Sequence, residues 1–184
     1  FLATGYRPEI TLQTRLEPIR GIDGDRFLDL ARSLNACLEI GIQTIHPEEC
    51  AAINRKQNIA VLRETIQKLA NRGVSFQASL IYGLPNQTPA SFRKSVSFLQ
   101  EAGCASITAF PLMLLRGTPL EANKNRWGLV ETREAPFHLP TVTAANSFSR
   151  QDWLEMKAFA ETLPSERLSQ PPTGKSKSPL LYKI

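Results

Sequence analysis

Along the first two thirds of the chain, apolar and polar positions alternate between a period near two residues and a period near 3.6. Residues about 9–16, Glu9-Ile10-Thr11-Leu12-Gln13-Thr14-Arg15-Leu16, alternate as a half-buried strand does. Asp23 is placed to cap a helix whose Phe27, Leu30, Ala31 and Leu34 recur on one face. Cys37 to Gln43 reads as a second strand, and Pro47 with Glu48 and Glu49 opens a short helix. A longer helix is predicted from about Asn58 to Arg72, apolar at Leu62, Ile66, Leu69 and Ala70, with Gly73 as its C′ residue. Val74 to Tyr82 is a third strand, followed by the turn-rich Gly83-Leu84-Pro85-Asn86-Gln87. Thr88 then caps a helix with Pro89 at N1 and Phe92, Val96 and Leu99 on one face, and Gly103 stops it. A fourth strand runs from about Ala105 to Phe110 and ends at Pro111.

Strands separated by helices of this length imply βαβ units and a parallel sheet with right-handed crossovers. After about Leu120 the alternation stops, and 121–148 read as irregular chain around Trp127, Pro136 and Pro140. One more helix starts at Ser149, with Asp152 at N3, and carries Trp153, Met156 and Ala160. From Pro164 onward Pro, Ser and Lys dominate, which predicts a disordered tail. The expectation is therefore an α/β chain: an incomplete parallel (β/α) barrel with a C-terminal helical and irregular extension, divided at 1–120, 121–163 and 164–184. Four strands are too few for a barrel, and a start at Phe1 rather than Met points to a piece of a longer chain.

Composition narrows the classes without naming a function. The 184 residues are 42% apolar and 21% charged, an ordinary globular balance. No apolar run approaches the roughly 18 residues needed to cross a bilayer, so no membrane role is expected. The net charge is +5, but much of the excess sits at Arg167, Lys175, Lys177 and Lys183 in the tail. The body is nearly balanced and shows no basic face with interleaved aromatics, which argues against nucleic-acid binding. Cys37, Cys50 and Cys104 form no CxxC pair, and only His46 and His138 accompany them. That usage suits a reducing, cytoplasmic setting and argues against a disulfide framework or a local zinc site.

In a parallel α/β fold the working site lies at the carboxyl ends of the strands. Here those ends are Glu17-Pro18, Gln43-Thr44, Gly83-Leu84-Pro85 and Phe110-Pro111. Pro18 predicts an extended Glu17 whose carboxylate projects over the rim, or else pairs with Arg15 or Arg20 at the surface. Gln43 ends an apolar strand, so its amide must bond either neighbouring backbone or a ligand. Glu39, within the same strand, needs a partner for the same reason if it faces the interior. Arg55 lies just past the short helix, where it is either a solvated helix end or a bidentate fork for a carboxylate, which Lys56 could not supply. Gly83 lets a flat ring approach main chain, and Gly117-Thr118-Pro119 is a similar turn.

Taken together, three blocks resemble a known family. Leu38-Glu39-Ile40-Gly41-Ile42-Gln43-Thr44, with Ala52-Ile53-Asn54-Arg55, is similar to the fourth-strand region of radical S-adenosylmethionine (SAM) enzymes. Leu80-Ile81-Tyr82-Gly83-Leu84-Pro85-Asn86-Gln87-Thr88 resembles their fifth-strand motif. Phe110-Pro111-Leu112, followed by Gly117-Thr118-Pro119-Leu120, resembles the sixth-strand segment. The likeness spans about residues 9 to 120 and is nearest to oxygen-independent coproporphyrinogen oxidases and cobalamin-binding radical SAM proteins.

The resemblance implies part of a (β/α)6 barrel, a partial TIM barrel, that binds SAM beside a [4Fe-4S] cluster. In the parent enzyme an electron donor would reduce the cluster, which would cleave SAM and start hydrogen abstraction from a substrate not identified by sequence. Cobalamin is a further cofactor that the resemblance allows in the parent. By position, Gln43 would touch the methionyl or ribose part of SAM and Arg55 its carboxylate. The main chain from Ile81 to Gly83, with Phe110 and Pro111, would frame the adenine, and Glu17 would contact SAM or substrate. The sequence departs from the pattern in lacking the CxxxCxxC cluster triad, and in having Ser79 where relatives show Asp and Asn86 where they show Gly. The leading expectation is thus an inactive fragment of a radical SAM enzyme without metal ligands of its own. The alternatives are a non-catalytic scaffold derived from such a barrel, or an unrelated (β/α) barrel lyase, which would need a lysine at a strand end.

Overall fold

The computed structural model describes residues 10–134 and 138–164. Four strands, β1 (Ile10–Thr14), β2 (Ala36–Gln43), β3 (Phe76–Tyr82) and β4 (Ser106–Pro111), form one parallel sheet in sequential order. The fold is therefore the expected α/β type, and the sheet is open: β1 and β4 are its edges, with no closed barrel among the described residues. The connections are helical: α1 (Leu16–Arg20), α2 (Gly24–Ser33), α3 (Pro47–Ala52), α4 (Ile59–Asn71) and α5 (Pro89–Glu101).

The local signals explain most of these boundaries. Asn58 caps α4 by accepting from the Val61 N–H at 3.2 Å. Thr88 and Ser91 form a reciprocal capping box at the start of α5, with Pro89 in the first turn. Gly73 and Gly103, which follow α4 and α5, both take positive φ. Asp23 occupies the N-cap position of α2, yet its side chain makes no capping bond.

Strand β2 shows why the molecule has a working face and a packing face. Its residues alternate strictly between buried and half-buried, as the two-residue period of a pleated strand demands. Ala36, Leu38, Ile40 and Ile42 pack into a core with Leu62, Ile66 and Leu69 of α4 and Phe92, Val96 and Leu99 of α5. Cys37, Glu39, Gly41 and Gln43 occupy the opposite face.

Three expectations need correction. The predicted strand over 9–16 is shorter and less buried than its pattern implied: Thr11, Leu12 and Gln13 are exposed because β1 is an edge, and the chain turns into α1 at Leu16. Glu17 is therefore helical rather than extended, since Pro18 lies in the first turn, where no N–H is needed. The stretch 121–148, expected to be irregular, holds two short helices, α6 (Pro119–Ala122) and α7 (Lys124–Trp127), and an antiparallel hairpin of β5 (Val130–Glu134) and β6 (Leu139–Ala144). Pro140 did not break β6 because its carbonyl, not its absent N–H, is used, accepting from the Leu114 N–H at 2.9 Å. Pro136 and the tail expected beyond Pro164 lie outside the described residues.

The expected last helix is α8 (Arg150–Glu161), opened by a capping box between Ser149 and Asp152. It contacts α5, β3, β4 and β6, and its buried Trp153 lies 5.7 Å from the Tyr82 ring. This packing dries the far side of the sheet. Burial pushes the Tyr82 hydroxyl up to about 12, with Glu161 and Glu134 adding to it. Burial likewise pushes the Cys104 thiol, between α5 and β4, up to about 11 against smaller opposing effects of the Ala78 and Ser106 main chain.

Both folded values lie above those of the unfolded chain, about 8.5 for a thiol and about 10 for a phenol. The unfolded state therefore sheds these protons first, and stability falls as pH rises. Chemical denaturation across alkaline pH is expected to show the unfolding free energy declining from about pH 8.5, the thiol's share ending at about 11 and the phenol's at about 12. Cys104→Ala should flatten the lower part of that decline.

Candidate functional site

The carboxyl ends of the strands frame an open cleft of about 1100 Å³. Of the residues singled out by sequence, Glu17, Gln43, Arg55, Ile81, Phe110 and Pro111 all line it. They come from separate stretches of chain, so the fold alone brings them together. Gly83 is the exception. It takes a φ of +89°, and a Cβ there would sit 3.2 Å from the Val142 carbonyl and 3.5 Å from the Trp153 ring. Its missing side chain makes room for β6 and α8, on the side away from the cleft lining.

Arg55 is held by the end of α3. Asn54 takes the left-handed conformation, with φ of 54°. Its N–H bonds the Ala51 carbonyl at 3.1 Å, and the Arg55 N–H bonds that of Cys50 at 2.8 Å. This is a Schellman arrangement, in which Asn stands where Gly is commoner. The Arg55 guanidinium then reaches back to donate to the Gly41 carbonyl on β2. Burial pulls its pKa below the ordinary value and the neighbouring Arg15 adds to this, while Cys50 and Glu17 oppose it. An arginine so placed remains charged and favours an anion.

Gln43 is the most strained residue of the cleft. Its φ is +66°, and the Thr44 N–H bonds the Ile42 carbonyl across it at 3.0 Å, a γ-turn. The pairing register with β3 slips at the same place. Its amide folds back over Gly41, where a Cβ would meet Nε2 at 2.7 Å and oblige the amide to shift. The other end of that amide, Oε1, is buried and has no hydrogen-bond partner among the described residues. Such an acceptor costs about 1–3 kcal/mol unless something fills it.

Sequence reasoning missed the group that holds this arrangement together. Glu49 of α3, fully buried, accepts from the Thr44 hydroxyl at the end of β2, from the Ser91 hydroxyl of α5 and from Gln87 Nε2 at 3.3 Å. Gln87, also fully buried, donates to the Ile81 carbonyl at 3.1 Å and accepts from the N–H groups of Gly83 at 2.6 Å and Leu84 at 3.1 Å. Read from sequence, Glu49 was only a first-turn acid. The signal available was that the second of two adjacent acids would turn inward at the helix start.

Glu17 joins none of the ion pairs among the described residues, so the expected surface pairing with Arg15 or Arg20 is not made. It also lines a neighbouring groove of about 740 Å³ with Arg15, Arg20 and Lys56. Cys37, Cys50 and Cys104 are free thiols, and no cluster of three metal-ligating side chains occurs among the described residues.

No family model matches the chain. Among curated proteins, YhcC of Escherichia coli (strain K12) is 32% identical over 81 residues, which is 44% of this chain and 26% of that protein. The oxygen-independent coproporphyrinogen III oxidase of Paracoccus denitrificans (strain Pd 1222) is 34% identical over 79 residues, 42% of this chain and 18% of that one. Among solved structures, coproporphyrinogen III oxidase (HemN) from Escherichia coli, described as a radical SAM enzyme, superposes with a TM-score of 0.57 at 24% identity. That match covers 82% of this chain and 30% of HemN. The chain is thus similar in sequence to these curated proteins over less than half its length, and shares the fold of HemN over most of it. It spans only about a quarter of YhcC and under a third of HemN.

The Glu49 network is open to direct test. In Glu49→Gln one oxygen becomes a donor facing groups that already donate, so a loss of about 1–3 kcal/mol is expected. Urea denaturation of the variant against the parent sequence measures it.

Proposed function

We propose that this chain supplies the SAM-binding strands of a radical SAM enzyme, with β1 to β4 corresponding to strands three to six of the family core. One observation carries the reading: a half-buried arginine, an amide oxygen with no partner and two apolar strand ends share one cleft at the carboxyl ends of parallel strands. SAM suits these residues, offering a carboxylate for Arg55 and hydrogen-bond donors for Gln43 Oε1.

In this reading Arg55 pairs with the methionyl carboxylate and Gln43 meets the methionyl or ribose part. The main chain at Ile81, Phe110 and Pro111 frames the adenine. Gly83 contributes through the shape of the loop leaving β3, and Glu17 contacts SAM or substrate at the rim. Bound beside a reduced [4Fe-4S] cluster in the parent, SAM supplies the C–S bond whose reductive cleavage begins hydrogen abstraction.

The cluster itself does not fit the described residues, which bring no three metal-ligating side chains together. Cys50 and Cys104 are buried and serve packing. The cluster and the docking of its electron donor are therefore assigned to other parts of a parent protein, and this chain alone is inactive. No residue here is assigned to cobalamin. In this reading the core segment ends at about 120 and an extension follows to 163, whose α8 packs on β3, β4 and α5. A reducing, cytoplasmic setting is supported by the free cysteines.

Isothermal titration of the chain with S-adenosylhomocysteine and with 5′-methylthioadenosine, which lacks the carboxylate, tests the reading. Both are expected to bind. Arg55→Gln should weaken S-adenosylhomocysteine about tenfold, the worth of a charge-assisted hydrogen bond, and leave methylthioadenosine unchanged. Absence of heat with either ligand overturns the proposal.

A further inference from the structure

The floor of the cleft carries a charge that the SAM contacts do not use. Glu39 lies half-buried on the face of β2 that lines the cleft. Its Oε1 accepts from the Ser79 hydroxyl at 3.0 Å and its Oε2 from Gln13 Nε2 at 3.5 Å. Register puts both partners there: Gln13 is its direct neighbour on β1, and Ser79 follows by two its direct neighbour Gln77 on β3. A row of polar side chains thus crosses the inner face, extended by the hydrogen bond from Gln77 to Thr108 on β4.

Both partners of Glu39 are neutral. Glu39 joins none of the ion pairs among the described residues, and Arg55 is turned to the Gly41 carbonyl. A carboxylate offers about four acceptor sites, of which two are filled here. Beside it rises an apolar wall with large exposed side chains, Phe110 (48% exposed), Met113 (43%) and Leu115 (54%).

We propose that Glu39 is a specificity-determining residue that receives a protonated amine of the substrate, whose apolar part lies against Phe110, Met113 and Leu115. This rests on reading the cleft as the SAM and substrate site. An ammonium group brings three donors and the missing positive charge, so it fills the remaining acceptor sites and neutralises the floor. A hydroxyl supplies one donor and no charge. A carboxylate meets like charge and is rejected. The apolar wall adds a need for a hydrophobic flank, which favours an arylalkyl amine over a bare polyamine.

The test uses three probes of one shape on the full chain: phenethylamine, phenethyl alcohol and 3-phenylpropionate. Ligand-observed NMR gives their affinities, and S-adenosylhomocysteine is titrated alongside. Phenethylamine is expected to bind about tenfold tighter than the alcohol, as a charge-assisted hydrogen bond predicts, and phenylpropionate weaker still. Glu39→Gln keeps an acceptor for Ser79 but removes the charge, so it should abolish the preference while S-adenosylhomocysteine binding persists. Glu39→Asp, which retracts the charge by one methylene, should weaken the preference severalfold and guards against misfolding of the amide variant. Equal affinities for the three probes, or a preference that survives in Glu39→Gln, overturn the amine assignment. Amine preference without S-adenosylhomocysteine binding instead leaves Glu39 as an amine subsite and removes the SAM reading.

Discussion

The carboxyl ends of β2 and β3 are separated by the 38 residues 44–81, yet the cleft requires them to keep one fixed spacing. A buried anion achieves this. Glu49 collects the Thr44 hydroxyl from the end of β2, the Ser91 hydroxyl from the start of α5, and Gln87 from the loop after β3. Burying a carboxylate is costly unless hydrogen-bond donors compensate the charge. Here three donors do so, and the carboxylate also sits in the first turn of α3, where peptide dipoles favour negative charge. The network is all-or-none: any displacement of one strand end strands a charge away from water. Gln87 relays the constraint to the main chain of Ile81, Gly83 and Leu84, so the shape of the cleft wall follows from a carboxylate that never reaches the cleft.

The strain stored in the cleft has the same origin. Gln43 is held with positive φ and an unpartnered amide oxygen, a combination that local energetics would not select. It persists because Thr44, the next residue, is tied to Glu49, while Ile42, the residue before, is fully committed to the core. Gly41 then matters twice. It leaves space for the Gln43 amide, and its carbonyl receives Arg55. Three consecutive residues on β2 thus convert a rigid packing face into a ligand-facing edge.

Much of this frame was legible in the sequence because its signals are local. The capping boxes at Thr88 and Ser149, the cap at Asn58 and the apolar faces of α4 and α5 each depend on residues within one or two turns. The cleft residues were legible through three ordered blocks, and Gln43, Arg55 and Phe110 do converge. What stayed hidden depends on contacts distant in sequence. The hairpin of β5 and β6 was obscured by Pro140, whose tolerance follows from its place beside the segment after β4, not from its neighbours in the chain. Pro18 biases Glu17 toward extended backbone, but the bias does not forbid a helix, and Pro18 falls in the first turn of α1, where its missing N–H costs nothing. The inward turn of Glu49 needed knowledge of Ser91 and Gln87, about 40 residues on.

This division separates what holds the cleft from what occupies it. The wall is set by Glu49 and Gln87, both fully buried and satisfied by protein donors and acceptors, so its geometry does not wait for a ligand. The groups facing the cleft are left incomplete in the opposite sense. Gln43 has an acceptor without a donor, Arg55 has one main-chain partner for a fork of five N–H groups, and Glu39 has neutral partners for a full charge. Preorganised walls with under-satisfied polar groups are the arrangement that binds most effectively, since little reorganisation is set against the favourable interactions with a ligand. The opposite signs of Arg55 at the rim and Glu39 on the floor also impose a direction on anything that enters. A ligand with an anionic end and a hydrogen-bond-donating end has one favourable orientation in such a field, set by the register of β1, β2 and β3 together with the turn at Asn54 that places Arg55.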